Sequence, residues 1–250
     1  MKKLVILFIA LLLAIPIFAS NAKQKEYTHT VLLELGSLTT CPYCPAAIDA
    51  LKALYESNEI PFYYVTLVYD KSDAARQRGK WLNDVYVPML YVDGGYDVVD
   101  EANEMAYFNA VEEAAKRNVN NFDMQLNAKW NGNDIEIFLN ITNEDSVPHF
   151  EHLRVYILEV ESRWTDYNGD KIRYALMDYA FNTYVPLMPE KATSFQIKWS
   201  NKYDLERNNT MVLAYLSSWL PHIQKNPWND PWWSSYFIAQ FVDETVAMEL

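Results

Sequence analysis

Cysteine, glycine and basic residues are scarce in this chain, and each shortage excludes a class of protein. The 250 residues include 2 cysteines and 6 glycines, and 21 Lys and Arg stand against 33 Asp and Glu, for a formal net charge of −12. Two cysteines cannot build the disulfide framework of a small stapled domain. The sequence contains no glycine-rich phosphate loop. The acidic balance argues against nucleic acid and anionic membrane surfaces as partners.

A long apolar run occurs at the N-terminus and predicts export. Lys2 and Lys3 precede the run from Leu4 to Ala19, and small residues that fit a cleavage site follow. This pattern is that of a secretory signal peptide over residues 1–22. The alternative is an uncleaved membrane anchor, but the run is shorter than the roughly 18–20 residues of a spanning helix, and Pro16 would kink it. We expect cleavage, no remaining membrane span, and a periplasmic, cell-surface or extracellular location.

Residues 23–119 alternate strand-like and helix-like segments, which predicts an α/β domain. Runs of β-branched and aromatic residues indicate strands, and apolar residues at helical spacing indicate helices. Gly94-Gly95 lies between two short strand-like segments and predicts a hairpin. The predicted order is β-α-β-α-β-β-α, from HTVLLELGS, the segment after the cysteines, IPFYYVTLVYD, KSDAARQRGKWLNDVY, the two halves of PMLYVDGGYDVVD, and EANEMAYFNAVEEAAKRN.

Residues 120–250 change to a period of two, which predicts a second, all-β domain. Apolar and polar residues alternate in NFDMQLNAKW and DIEIFLNIT, and Asn131-Gly132 between them predicts a hairpin turn. Further strands are predicted at LRVYILEVES, SFQIKWS, TMVLAYLSSW and SYFIAQFVDE. The number of strands and the length are ordinary for an Ig-like β-sandwich.

The two cysteines form the motif CPYC between a predicted strand and a predicted helix. The strand would deliver Cys41 to the helix N-terminus, where free N–H groups and the helix dipole stabilise a thiolate. Pro42 fits the first helical turn, because the N–H that proline lacks would have no partner there. Cys44, one turn further, would resolve a mixed disulfide formed at Cys41. The pair therefore predicts a redox-active disulfide with no other cofactor.

These features resemble the thioredoxin superfamily, with a dithiol of the glutaredoxin type. The resemblance covers residues 28 to about 118 and rests on CPYC, on the order of the elements and on YVPMLYVDGG. It implies a cis peptide at Val87-Pro88, which would guide a substrate chain beside the dithiol, with Pro42 and Tyr43 as further contacts. It also implies a proton-relaying acid on the first strand, for which Glu34 is the candidate.

ELGSLTTCPYCP together with the β-rich second half also resembles exported proteins of the outer-membrane-protein-28-related group. The expected fold is therefore an α/β thioredoxin-like domain followed by a separate Ig-like sandwich. The expected function is an exported thiol–disulfide oxidoreductase that acts on protein thiols and disulfides with a redox partner that the sequence does not identify.

Other interpretations use the same residues differently. The cysteines could form a structural disulfide or an inert buried pair. Zinc would need four ligands, and no second CxxC or nearby histidine exists, so no metal is expected there. His149 and His152 could bind a metal with Glu151, although such histidines are more often solvated.

A second function remains open on the tryptophan-rich segment near the C-terminus. Trp228 lies between Pro227 and Pro231, and Trp232 and Trp233 directly follow Pro231. If exposed, they would bind a peptide or a glycan, and the protein would be a surface binding protein with a permanent disulfide. If buried, they would fill the core or the interface between the two halves, as large aromatic side chains commonly do.

Overall fold

The computed structural model describes residues 27–228 and 235–250. The predicted signal peptide, residues 1–22, lies outside these ranges, as do Trp232 and Trp233. The described residues form thirteen strands, three α-helices and one 3-10 turn. None of these helices has the length and apolar character that crossing a bilayer requires.

The first half of the chain contains its elements in the predicted order. They are β1 (Val31–Ser37), α1 (Cys44–Ser57), β2 (Phe62–Val68), α2 (Asp73–Trp81), β3 (Met89–Val92), β4 (Asp97–Val99) and α3 (Glu104–Ala114). Side-chain caps define the helix starts, because the side chains of Ser72 and Asn103 accept hydrogen bonds from backbone N–H groups of α2 and α3. Helix α1 ends at Asn58, which has a left-handed backbone conformation.

The second half consists of strands and one short 3-10 turn. The strands are β5 (Phe122–Asn131), β6 (Asp134–Asn143), β7 (His149–Thr165), β8 (Lys171–Leu187), β9 (Lys191–Ser200), β10 (Thr210–Ser218), β11 (His222–Lys225), β12 (Tyr236–Ala239) and β13 (Val242–Glu249). The hairpin predicted at Asn131-Gly132 is confirmed, since β5 and β6 pair antiparallel around it. Gly132 has a φ of 64°, a conformation that favours glycine.

The prediction of an α/β thioredoxin-like domain followed by a separate Ig-like sandwich is wrong. One eight-stranded mixed sheet runs through both halves in the order β13-β10-β7-β8-β2-β1-β3-β4. The junction is a parallel contact between β2 and β8, where Thr66 is opposite Ala175. The Thr66 hydroxyl also donates a hydrogen bond to the backbone oxygen of Arg173 at 2.8 Å. The two halves are therefore built on one continuous sheet.

The sequence pattern did not predict β8, the strand that joins the halves. Alternation predicts strands with one solvated face, but β7 is buried at ten consecutive positions and β8 at most of its first half. Strands that are covered on both faces lose the alternating signal. The joining strand β8 has 17 residues, far longer than a typical strand.

Two hydrophobic cores lie on this framework. The first surrounds β1, β2 and β3 and includes Tyr156 and Leu213 from the second half, so it also crosses the predicted domain boundary. The second core lies between the smaller sheet β5-β6-β9 and the β7, β8 and β10 part of the large sheet. This sheet-on-sheet packing preserves the β-sandwich character that the sequence predicted for residues 120–250.

Candidate functional site

The cysteine motif lies between the end of β1 and the start of α1. A turn closes at Cys41, whose N–H donates to the Leu38 oxygen at 3.2 Å. The helix begins at Cys44, so Pro42 precedes it and Pro45 occupies the first turn instead. The backbone N–H of Cys44 donates to Cys41 Sγ at 3.2 Å. The sulfur of Cys41 therefore receives a hydrogen bond from the helix N-terminus.

The two thiols have different surroundings. Both are free, and Cys44 is completely buried whereas Cys41 is 7% exposed. Burial, with a smaller contribution from the hydrogen bond to Cys41, raises the pKa of the Cys44 thiol to about 12. At neutral pH Cys44 is thus a protonated thiol. This difference suits Cys41 as the attacking sulfur and Cys44 as the sulfur that reacts later.

The backbone segment just before β3 forms the opposite wall of the site. The Val87-Pro88 peptide is cis, as predicted. Strand β3 pairs antiparallel with β1, and Met89 lies opposite Gly36, near the end of β1 that leads to the cysteines. This register brings the Val87 oxygen within 3.8 Å of Cys41 Sγ. Val87 and Pro88 remain partly exposed beside the sulfur.

Each wall of the site has an exposed aromatic residue next to it along the chain. Tyr43, between the cysteines, is 74% exposed, and Tyr86, just before Val87, is 55% exposed. Tyr86 also contacts Trp228 edge-on, with ring centroids 5.6 Å apart. Trp228 is partly buried and packs against the first core, which fits the prediction that it fills an interface between the halves. Tyr43 and Tyr86 therefore expose aromatic surface beside the cysteines.

Glu34 does not approach the dithiol. Its carboxylate accepts two hydrogen bonds from Arg78, at 2.8 and 2.6 Å, and one from the Tyr156 hydroxyl at 2.9 Å. Side chains alternate between the faces of a strand, so Glu34 and Ser37, three residues apart, point to opposite faces of β1. Ser37 is the residue on the dithiol face, since its hydroxyl acts on the Cys44 thiol. The acid predicted as a proton relay is instead the centre of an ion pair.

Ser37 is the polar group of this site that the sequence analysis missed. Its hydroxyl is buried and has no partner at normal hydrogen-bond distance among the described residues. Its weak interaction with the Cys44 thiol lowers the pKa of that thiol and so opposes the effect of burial. The alternation of side chains along a strand would have predicted that Ser37 and Glu34 lie on opposite faces of β1.

The histidines considered as metal ligands are held by other groups. His149 Nε2 lies 2.9 Å from Asp145 Oδ2. His152 contacts Gln240 and Asn182 at 3.1 and 2.7 Å. Within residues 27–228 and 235–250, no group of three or more His, Cys, Asp or Glu side chains could hold a metal ion.

Comparison with known proteins gives fold relatives at low identity. No family model matches the chain, and no curated protein matches it. The chain is similar in structure to HBP35 of Porphyromonas gingivalis, with a TM-score of 0.68, 11% identity and coverage of 90% of this chain and 76% of that one. A protein of Agrobacterium tumefaciens is similar with a TM-score of 0.56, 14% identity and coverage of 89% and 95%.

A third match is partial. A domain of the outer membrane lipoprotein Omp28 of P. gingivalis covers 52% of this chain and 87% of its own, at 9% identity and a TM-score of 0.32. The two fuller matches show that the overall fold, including both halves, occurs in other bacterial proteins.

Proposed function

We propose that this chain is an exported thiol–disulfide oxidoreductase with Cys41 and Cys44 as its redox pair. The observation that carries the proposal is the unequal placement of the two sulfurs. Cys41 Sγ receives the N–H of Cys44 at 3.2 Å, whereas the Cys44 thiol is completely buried with a pKa raised to about 12. An attacking thiol and a later, protected thiol are the two parts that a dithiol exchange requires.

The reaction is a two-step exchange. The Cys41 thiolate attacks one sulfur of a substrate disulfide, a mixed disulfide forms, and the other substrate sulfur leaves as a thiolate. Cys44 then loses its proton and attacks Cys41 Sγ, which releases the second substrate thiolate and closes the Cys41–Cys44 disulfide. The substrate gains two electrons and the enzyme loses two. The same steps in reverse oxidise a dithiol substrate.

The wall opposite the dithiol suits an extended protein substrate. Val87 and Pro88 are partly exposed beside Cys41. A peptide strand added at this segment would bind through main-chain hydrogen bonds. Pro42 and Tyr43 are exposed on the other side of Cys41 and would pack against the substrate side chains. The proposed partners are therefore protein thiols and disulfides.

Export rests on the sequence of residues 1–22, where two lysines, an apolar run and small residues form a signal-peptide pattern. An exported location also suits a dithiol protein, because disulfides persist in oxidising compartments. The alternative of a tryptophan-based binding protein with a permanent disulfide has less support, because Trp228 is packed against Tyr86.

The test is the reduction potential of the mature protein in glutathione buffers, with free thiols trapped for mass spectrometry. We expect a reversible couple near the glutaredoxin values of about −200 to −230 mV. Cys41→Ser should abolish exchange, and Cys44→Ser should accumulate the mixed disulfide. A pair that stays closed below about −300 mV, or full turnover by Cys41→Ser, would contradict the proposal.

A further inference from the structure

A cleft of about 800 Å³ opens on the large sheet, built from elements other than those that hold the cysteines. Its walls come from the end of α2, from β7 and β8, from the loop after β10, and from β12 with Gln240. The volume lies within the range of small-molecule sites. We refer to it as the Arg154 cleft, after the charged residue in its wall.

The Arg154 cleft is positive in a strongly acidic protein. Lys80 and Arg154 line it together with Arg78, whose charge is balanced by Glu34, and the described lining residues include no Asp or Glu. His152, also in the wall, is neutral at pH 7, because burial lowers its pKa to about 4. The charge of the cleft is therefore opposite in sign to the net charge of −12 of the chain. Such a local reversal favours an anion over a cation or a neutral compound.

Arg154 differs from the other enclosed arginines of the described chain in its partners. Arg78 forms an ion pair with Glu34, and Arg117 forms one with Asp93. Arg154 is only 2% exposed, and no described acid pairs with it. A buried cation without a counter-charge is costly, by several kcal/mol in typical proteins. An anion bound in the cleft would supply the missing charge.

The neighbours of Arg154 accept hydrogen bonds from only some of the donors of its guanidinium group. Its terminal nitrogens donate to Ser217 Oγ at 3.0 Å and to Gln240 Oε1 at 2.8 Å. Its Nε has no hydrogen-bond partner among the described residues. The guanidinium lies 5.3 Å from the ring centre of Trp81 and 5.6 Å from that of Tyr215, which supports the charge through cation–π contacts. The guanidinium is thus oriented, with donors to spare.

The rest of the cleft is aromatic and partly exposed. Trp81 and Trp219 are 38% and 51% exposed, and Tyr184 and Tyr236 are also exposed. The Tyr184 ring packs over the His152 ring, with centroids 4.2 Å apart and a tilt of 34°. Aromatic walls around a few polar groups are typical of sites for organic ligands. An inorganic ion would use the charge but leave these rings uncovered.

We propose that the Arg154 cleft binds a small organic anion, whose acidic group lies toward Arg154 and Lys80 and whose flat apolar body packs against Trp81 and Trp219. This binding site is independent of the dithiol chemistry proposed above. Lys80 is exposed and pairs with no described acid, so it is available to the same acidic group.

A pair of fluorescent probes tests the proposal on the whole mature protein. 8-Anilinonaphthalene-1-sulfonate carries a sulfonate, and N-phenyl-1-naphthylamine has the same aromatic body without it. We expect one molecule of the sulfonate to bind, at least tenfold more tightly than the neutral probe. Arg154→Gln should weaken the sulfonate at least tenfold and change the neutral probe less than twofold, while Lys80→Gln should weaken the sulfonate a few fold. Trp81→Ala should weaken both probes.

Arg76→Gln is the matched control. Arg76 is an exposed arginine on α2, the helix that carries Lys80 and Trp81, and it forms an ion pair with Asp73. It should leave both affinities unchanged. If Arg154→Gln does not fold, as judged by near-ultraviolet circular dichroism, Lys80→Gln and Trp81→Ala decide by the same criteria. Equal affinity for the two probes, or folded variants that all bind the sulfonate like the wild type, would overturn the proposal.

Discussion

The two faces of β1 bury different kinds of polar group. On one face, the Ser37 hydroxyl and the Cys44 thiol are uncharged, and Ser37 has no full hydrogen bond among the described residues. On the other face, Glu34 is charged and accepts three hydrogen bonds, from Arg78 and Tyr156. The first face leaves a group free to act on a thiol, and the second uses its partners to hold the protein together.

The charged face also joins the two halves of the chain. Glu34 is on β1, Arg78 on α2 and Tyr156 on β7, and the Tyr156 hydroxyl continues the network to the Tyr215 hydroxyl on β10 at 2.7 Å. Buried networks whose members are all satisfied specify a unique packing. The strand before the dithiol is therefore held by polar contacts on the face opposite the cysteines.

Removing the charge of Glu34 should give the largest effect. Glu34→Gln leaves Arg78 buried at 5% exposure without its counter-charge. Breaking a buried ion pair in this way costs about 3–5 kcal/mol in the free energy of unfolding. Urea denaturation measures it, and Cys41→Ser, near the other face, serves as the control with an expected change below about 1 kcal/mol. If both variants lowered the free energy of unfolding by the same small amount, the ion pair of Glu34 would not stabilise the fold more than the groups on the dithiol face do.

Adding one methyl group to the charged face should give the next largest effect. A Cβ at Gly36 would collide with Asp84 Oδ2 and would lie 2.7 Å from the Tyr69 hydroxyl oxygen. Overpacking of this kind costs about 1–3 kcal/mol, so Gly36→Ala should lower the free energy of unfolding by that amount.

A double-mutant cycle locates the collision at Gly36. Tyr69→Phe removes the hydroxyl, so the cost of Gly36→Ala should be smaller in that background. Strict additivity of the two changes would mean that the added methyl group does not meet Tyr69.

The acid beside Gly36 should make stability depend on pH. Burial raises the pKa of Asp84 from 3.8 to about 7, although the Tyr69 hydroxyl donates to Asp84 Oδ2 at 2.5 Å. Between these values the folded state holds a proton that the unfolded state has lost. Stability due to this group is therefore complete below about pH 4 and is lost as the pH rises through about 7.

Asp84→Asn isolates this effect from other titrating groups. From pH 5.5 to 6.5 the wild type should lose up to about 1.4 kcal/mol relative to Asp84→Asn, which corresponds to one proton. Urea denaturation of both proteins at the two pH values measures the difference. Parallel changes in the two proteins would show that Asp84 does not titrate in this range.

The dithiol face could be predicted from the sequence further than the charged face. CPYC and the strand before it are local patterns, and a residue's neighbours in the chain determine most of their geometry. The place of Val87 beside Cys41, 46 residues away, could be predicted only through the resemblance to the thioredoxin superfamily. The partners of Glu34 are 44 and 122 residues away, and neither has a local sign of its role. The Thr66–Ala175 contact joins β2 and β8, and nothing in the sequence of either strand predicts that the two pair. Such long-range pairing decides whether two predicted domains are separate or share a sheet.

The smallest effect should be on the dithiol face, and on rate rather than stability. The Ser37 hydroxyl lowers the pKa of Cys44, so Ser37→Ala should raise that pKa further and reduce the fraction of Cys44 present as thiolate. Because this interaction is weaker than a normal hydrogen bond, we expect at most the lower end of a hydrogen bond's contribution, about 0.5 kcal/mol. This corresponds to a decrease of about twofold in the rate at which Cys44 resolves a mixed disulfide at Cys41. Single-turnover release of glutathione from Cys41 measures this rate.

Tyr156→Phe is the matched comparison for Ser37→Ala, because it removes a hydroxyl from the charged face. Without the hydrogen bond from Tyr156, Glu34 still keeps both contacts with Arg78, so the protein should fold with lower stability. Its release of glutathione should match the wild type, since the lost hydroxyl lies behind β1. Slower release in Tyr156→Phe than in Ser37→Ala would mean that the charged face controls the proton of Cys44, and that Glu34 acts on the dithiol through the strand itself.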